Sequence, residues 1–166
     1  MRRVGGWIRQ GFTAGVILLA AATAGCAKKP QTHEAHKIAG GVDASVDPGT
    51  PRDFAVNVGG RVHFETDSAN LTSDARIVLN GQVQWLQHYP NYRITVEGHS
   101  DERGTREYNL GLAARRAAAV KDYLTRQGID ARRLVTTSFG KERPVALCDD
   151  LVCWSQNRRA VSVVRF

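Results

Sequence analysis

The sequence predicts an α/β protein of two layers, its elements ordered β-α-β-α-β-β, with both helices on one face of a mixed sheet. Three observations predict this. Short stretches alternate apolar and polar residues, as in Tyr92, Ile94 and Val96 against Arg93, Thr95 and Glu97, which is the two-residue period of a half-buried strand. Two longer stretches repeat their apolar residues every three or four positions, the period of a helix with one buried face. Strand–helix–strand units cross over right-handedly, so at least one strand pair should be parallel.

Taken in order, residues 1–25 have the make-up of an export signal: Arg2, Arg3 and Arg9, an apolar run from Phe12 to Ala22, then small residues. The run is short for a bilayer span, which takes about 20 apolar residues. It ends in Thr23-Ala24-Gly25-Cys26 and resembles a lipobox, whose cysteine is diacylated on sulfur before the signal is cleaved; that pattern prefers leucine where this chain has Thr23. Cys26 is therefore the expected lipidation site, the alternative being a plain secretory signal with a spare thiol. Residues 26–53 hold scattered Lys, His, Pro and Gly with no sustained apolar period, the composition of a flexible tether.

The domain is expected over residues 54–166. Phe54, Val56 and Val58 alternate, Gly59-Gly60 interrupts, and Val62 and Phe64 alternate again, which predicts one strand with a bulge or turn. Thr72 or Ser73 then caps a helix with Asp74 in its first turn and a stripe of Leu79, Val83 and Leu86, closed by Pro90. After the Tyr92–Val96 strand and a loop from Gly98 to Thr105 comes a longer helix. Leu110, Ala113, Ala117, Val120 and Leu124 keep its period and Gly128 stops it. Strands at about Leu134–Phe139 and Ala160–Phe166 complete the sheet.

Charge and cysteines narrow the possibilities. The 166 residues carry 23 Lys and Arg against 16 Asp and Glu, a net charge of +7. Three of the positive charges belong to the signal, and no basic run interleaved with aromatics remains, so nucleic acid is not an expected partner. An exported chain meets an oxidising compartment, where Cys148 and Cys153 are expected to pair. Closing so short a loop stabilises by roughly 2 kcal/mol on the chain-entropy model. Two free thiols are the alternative; a metal site fits less well, with no further His or Cys alongside.

Two strand-to-helix loops carry the chemistry: Phe64 to Leu71, and Glu97 to Thr105 running on to Asn109. If their strands run parallel, both loops leave the sheet at one edge. Asn109 and Arg116, seven residues apart, face that edge from the long helix. An acid (Asp101), a guanidinium (Arg116) and helix-start amides together suit a zwitterion, with ammonium on carboxylate and carboxylate on guanidinium. Each has a plainer reading: Asp101 as a turn or helix cap, Arg116 as a solvated helix residue. His99 suits packing or hydrogen bonding better than metal or base chemistry, with no second His nearby. Arg103 stands at the loop rim, within reach of either ligand or partner, and Asn157 and Arg158 brace either the pocket or only the fold.

The run Thr95-Val96-Glu97-Gly98-His99-Ser100-Asp101-Glu102-Arg103-Gly104-Thr105, with Glu107-Tyr108-Asn109-Leu110, resembles the signature of the OmpA-like peptidoglycan-binding domain family. Val62-His63-Phe64 with Asp67-Ser68, Arg115-Arg116-Ala117 with Val120, Ser138 to Glu142, and Asn157-Arg158-Arg159-Ala160 match in the same order. The resemblance covers about Val56 to Phe166. It implies binding of the diaminopimelate residue of peptidoglycan stem peptides: Asp101 at its amino end, Arg116 at its carboxylate, Thr66 and Asp67 on the floor beside Phe64, and Asn109 and Leu110 in the wall. It also implies partnership with TolB and other proteins of the Tol system, a part in envelope integrity and cell division, and an outer-membrane lipid anchor with the domain in the periplasm. No cofactor is implied.

An enzyme acting on the cell wall is the main competitor. Amide hydrolysis would want a metal with three ligands or an activated nucleophile. Glycan cleavage would want two carboxylates on opposite sides of the bond, and Asp101 and Glu102 are adjacent. A flagellar stator would need a retained membrane helix, usually bearing an acid. A non-catalytic anchor is the expectation.

Overall fold

The structure, a computed structural model, describes residues 46–166; the expected signal, the lipidation site Cys26 and most of the tether lie outside the described residues. Each longer helix begins where a side chain can take up its first free amides. Thr72 accepts from the Ala75 amide at the start of α2 (Ser73–His88) when the elements are numbered along the chain after a short α1 (Pro51–Asp53). Thr105 accepts from the Tyr108 amide at the start of α3 (Arg106–Arg126). Asp150 accepts from the Val152 and Cys153 amides at the start of α4 (Leu151–Asn157).

Four strands, β1 (Arg61–His63), β2 (Arg93–Gly98), β3 (Leu134–Ser138) and β4 (Arg159–Arg165), form one sheet in the order β1-β4-β2-β3. β2 and β3, joined through α3, are parallel, whereas β4 is antiparallel to both β1 and β2. The sheet is mixed, as expected. Its inward residues Val62, Ile94, Val96, Leu134 and Ala160 share one core with Leu79, Val83 and Leu86 of α2 and Ala117, Val120 and Leu124 of α3. Two layers with both long helices on one face follow. At Gly98, α3 crosses so closely that a Cβ would overlap the Ala113 carbonyl, which fixes the height of the helix over the end of β2.

Two elements differ from expectation. Phe54, Val56 and Val58 do not form a strand: α1 runs into a π-helical turn at Phe54–Gly59. Phe54 is buried, Val56 is 62% exposed and Val58 packs on the core, a helical spacing and not a two-residue one. Asp53 sets this segment, accepting from the Gly49 amide, the Asn57 amide group and the Trp85 indole. The Tyr92 hydroxyl donates to the Gly49 carbonyl, so the packed body begins upstream of Phe54. The second difference is α4, between the last two strands. Its Leu151 and Val152 are exposed, so it presents no apolar stripe by which periodicity would reveal it. Cys148 and Cys153 are joined in a disulfide, Cα atoms 5.6 Å apart, and this with the Asp150 cap holds the helix start. Among the described residues no helix is long and apolar enough to cross a membrane.

Candidate functional site

β1 and β2 are not neighbours, but β4 lies antiparallel between them. They therefore run in the same direction, and the loops that follow them leave the sheet at the same edge. β4 starts at that edge, so Arg158 sits between the two loops. The backbone joins them there: the Phe64 amide donates to the Arg158 carbonyl at 2.9 Å, and the His99 amide to the Arg159 carbonyl at 2.9 Å.

Arg116 holds this edge from beneath. Fully buried, it donates through Nε to the Ser68 carbonyl (2.8 Å), through Nη1 to the His99 carbonyl (2.9 Å) and through Nη2 to the Glu65 carbonyl (3.1 Å). Its guanidinium lies 5.3 Å from the Phe64 ring centroid. Three of its five N–H donors are thus spent on the two loops. Burial pushes its pKa down to about 10, against the pull of Asp101 and Asp67, which leaves it protonated at neutral pH.

Asp101 is the acid of the edge, 7% exposed. Its Oδ1 accepts from the Arg103 backbone amide (3.3 Å) and Nε (3.2 Å), and its Oδ2 from Arg103 Nη2 (2.7 Å) and Arg158 Nη1 (3.5 Å). Burial alone would raise its pKa; the hydrogen bonds and charge of Arg103, with Arg158, outweigh that and hold it below the ordinary carboxylate value. Arg158 is itself tied to the Phe64 carbonyl through Nε at 3.0 Å. Asn109 donates to the carbonyls of Arg103 (2.7 Å) and Thr105 (3.0 Å) and so sets the loop on which Asp101 and Arg103 stand. Asp67 adopts φ 53°, a left-handed conformation that Asp tolerates better than most residues, and accepts from the Tyr108 hydroxyl.

These residues surround a cleft of about 210 Å³ lined by Thr66, Asp67, Asp101, Arg103, Gly104, Tyr108, Asn109, Leu112 and Arg116. It is smaller than the roughly 300–1,000 Å³ of drug-sized pockets and has room for the end of one amino-acid side chain. Of the residues expected here, Thr66, Asp67, Asp101, Asn109 and Arg116 line it. Phe64 does not: its ring lies under Arg116 and borders a larger groove of about 730 Å³ between β1 and the start of α2. Leu110 is exposed and does not line it, its backbone carbonyl accepting from the Ser138 hydroxyl; Leu112 stands in the wall. Arg103, which the sequence places only at the rim, and Tyr108, which it does not assign to the site, are further polar residues of the lining. Their signal was their place beside Asp101 and Asn109, which does not say where a long side chain turns.

His99 faces away from the cleft. Its ring stacks on Phe139, centroids 5.5 Å apart, and the nearest acid, Glu97, is 3.9 Å away. Burial, then the charges of Arg159, Arg143 and Arg61, lower its pKa to about 4. A free His titrates near 6.5, so between about pH 6.5 and 4 the unfolded chain binds a proton that the folded chain refuses. Stability should be full above that window and fall by roughly 3 kcal/mol through it. His99→Phe should flatten the fall of the urea midpoint across this range; an unaltered slope would assign it to other groups.

The lining contains no His or Cys, and its two acids are both engaged, Asp67 by the Tyr108 hydroxyl and Asp101 by Arg103 and Arg158; it offers ion pairing and hydrogen bonding. Residues 63–164 match the model of the OmpA family. The chain is 58% identical to the peptidoglycan-associated lipoprotein of Agrobacterium fabrum over 149 residues, covering 89% of this chain and 84% of that one. It is 55% identical to that of Rhizobium meliloti over the same shares. Among solved structures it is similar to the peptidoglycan-associated lipoprotein of Burkholderia pseudomallei, with a TM-score of 0.66 and 36% identity over 70% of this chain and all of that one. By sequence and by fold, then, this chain belongs to the OmpA family and, within it, to the peptidoglycan-associated lipoproteins.

Proposed function

We propose that the chain is a non-catalytic anchor: lipid on Cys26 in the outer membrane at one end, and at the other a periplasmic domain that captures diaminopimelate in peptidoglycan stem peptides. The observation that carries this is the cleft between the two loops, with a carboxylate in its wall and guanidinium groups beneath and beside it. The name of its relatives points the same way. Asp101 receives the ligand's ammonium. Arg116 acts from below, holding both loops and supplying positive charge toward the carboxylate end. Thr66, Asp67 and Asn109 shape the floor and wall. Reversible capture of one side-chain end needs no bond to be broken and no cofactor.

The test is co-sedimentation of a chain starting at residue 27 with purified diaminopimelate-type sacculi. The expected result is protein in the pellet, release by free stem peptide, and no soluble muropeptide produced. Protein left in the supernatant would overturn the anchor, and released muropeptides would make the protein an enzyme.

Docking of TolB and other Tol-system proteins, and through them a part in envelope integrity and cell division, belong to the same proposal. The lipid is tested separately. Two or more acyl chains hold a protein firmly, at about 0.8 kcal/mol per buried methylene. Cys26→Ser should therefore move the full chain from the outer-membrane fraction to the soluble periplasm, and retention in membranes would contradict the lipid anchor.

A further inference from the structure

We propose that the sheet face turned away from the two long helices is a cationic platform that rests on a bilayer bearing anionic phospholipid. The choice of a bilayer as its occupant rests on the lipid anchor at Cys26.

Side chains alternate between the two faces of a strand. Val62, Ile94, Val96, Leu134 and Ala160 point into the core, so Arg61, Arg93, Arg159 and Arg165 belong to the opposite face. Arg143 joins them from the loop after β3, its guanidinium 3.7 Å from the centroid of the Phe139 ring. At the strand positions of this face the one acid is Glu97. Between the charges lies a floor of short side chains, Thr95, Val135, Val161 and Val163, from which the exposed Arg61, Arg93 and Arg165 stand out.

The fold leaves this charge unneutralised. Elsewhere arginines meet acids, Arg103 on Asp101, Arg106 on Glu142 and Arg132 on Asp130. Among the described residues none of the five arginines of this face forms an ion pair. Arg93 stands directly opposite Arg165 in the register of β2 and β4, and like charges so placed destabilise a sheet. Arg159 is buried, and burial first, then the charge of Arg61, hold its pKa below the ordinary guanidinium value. An anionic surface laid against the face relieves this repulsion.

A bilayer fits the face better than a small anion does. The five cations are spread across four strands and a loop and do not converge on one point, which matches a plane of many headgroups. All five are arginines, whose planar fork takes a phosphate bidentately. The residues between Cys26 and Val46 span at most about 70 Å at full stretch, so a chain acylated at Cys26 holds the domain within reach of the bilayer. The cleft opens at one edge of the sheet and none of these arginines lines it. A domain lying on this face therefore keeps its cleft open to the side.

The experiment is co-sedimentation of a chain starting at residue 27, which carries no lipid, with vesicles of phosphatidylcholine alone or mixed with phosphatidylglycerol. The wild type should bind the mixed vesicles, not the neutral ones, and come off at high salt. Each basic residue at an anionic surface contributes about fivefold, so replacing Arg61, Arg93 and Arg165 together by Gln should weaken binding on the order of a hundredfold. Replacing Arg76, Lys121 and Arg126 by Gln removes equal charge from the helix side and should weaken it less than about tenfold, because that side lies beyond the roughly 10 Å screening length. The first variant should melt no lower than the wild type, since it removes the opposed Arg93 and Arg165, and should bind stem peptide as the wild type does. Equal losses in the two variants would mean that net charge and not this face is read, and would overturn the proposal. Binding to poly-glutamate with none to the mixed vesicles would make the occupant an acidic protein segment and overturn the bilayer. No binding to either would overturn the platform and leave the cleft and the lipid anchor standing, since Cys26→Ser tests the anchor on the full chain.

Discussion

Replacing Arg116 with alanine is expected to lower the unfolding free energy by roughly 4 kcal/mol or more, from a total of about 5–15 kcal/mol for a domain of this size. The side chain is fully buried and bonds three carbonyls, those of Glu65 and Ser68 in the first loop and His99 in the second. Hydrogen bonds to a charged donor contribute about 1.5–3 kcal/mol each. Truncation would also leave the carbonyls facing a cavity without donors. The urea midpoint should drop steeply with little change in slope. Arg116→Lys keeps the charge but not the three-way fork, and should fall between the two. An alanine variant as stable as the wild type would mean the loops hold one another without Arg116. Loss of peptidoglycan binding in Arg116→Ala therefore cannot by itself identify a ligand contact, because the cleft loses its frame.

Asp101→Asn is the sharper test of the ligand contact. It keeps the size and one acceptor for Arg103, but removes the charge that an ammonium would meet. Truncating one member of a desolvated charge pair costs about 2–5 kcal/mol, so affinity for a diaminopimelate stem peptide should fall at least about thirtyfold. The loss of stability should be smaller than in Arg116→Ala, because Arg158 keeps its bond to the Phe64 carbonyl and Arg103 is half in solvent. Isothermal titration beside a melting curve separates the two effects. Unchanged affinity with an unchanged melting temperature would make Asp101 a loop brace that shapes the cleft without touching the ligand.

The parts of this protein legible in the sequence are those that repeat. Leu79, Val83 and Leu86, or Ile94 and Val96, state their period over enough residues to fix element and face together. Thr72 and Pro90 then mark where α2 begins and ends. Where one interaction sets the structure, the pattern misleads. The Phe54 segment has the alternation of a strand, but the Asp53 carboxylate, taking the Gly49, Asn57 and Trp85 donors, winds it into a helical turn. α4 is set by a cap and a disulfide, neither of which leaves a period.

The site divides the same way. Asp101, Asn109 and Arg116 were found because loop position and helix spacing place them on one edge. That Arg116 spends three donors on backbone, and that Arg103 folds back onto Asp101, depends on the rotamers of long side chains and on β4 lying between the two loop-bearing strands. Neither is written in the spacing of residues. The insertion of β4 also brings Arg158 to the carboxylate, from more than fifty positions away in sequence.

The central claim, that the cleft between the two loops is where the cell wall is held, is tested most directly by NMR titration of a chain starting at residue 27 with a diaminopimelate-containing stem peptide. The account predicts saturable shifts concentrated on the amides of Thr66, Asp67, Asp101, Arg103 and Asn109, with the peptide recovered intact. Shifts concentrated instead along the groove between β1 and α2, at Arg61, Ser73 and Val78, or none at saturating peptide, would contradict it.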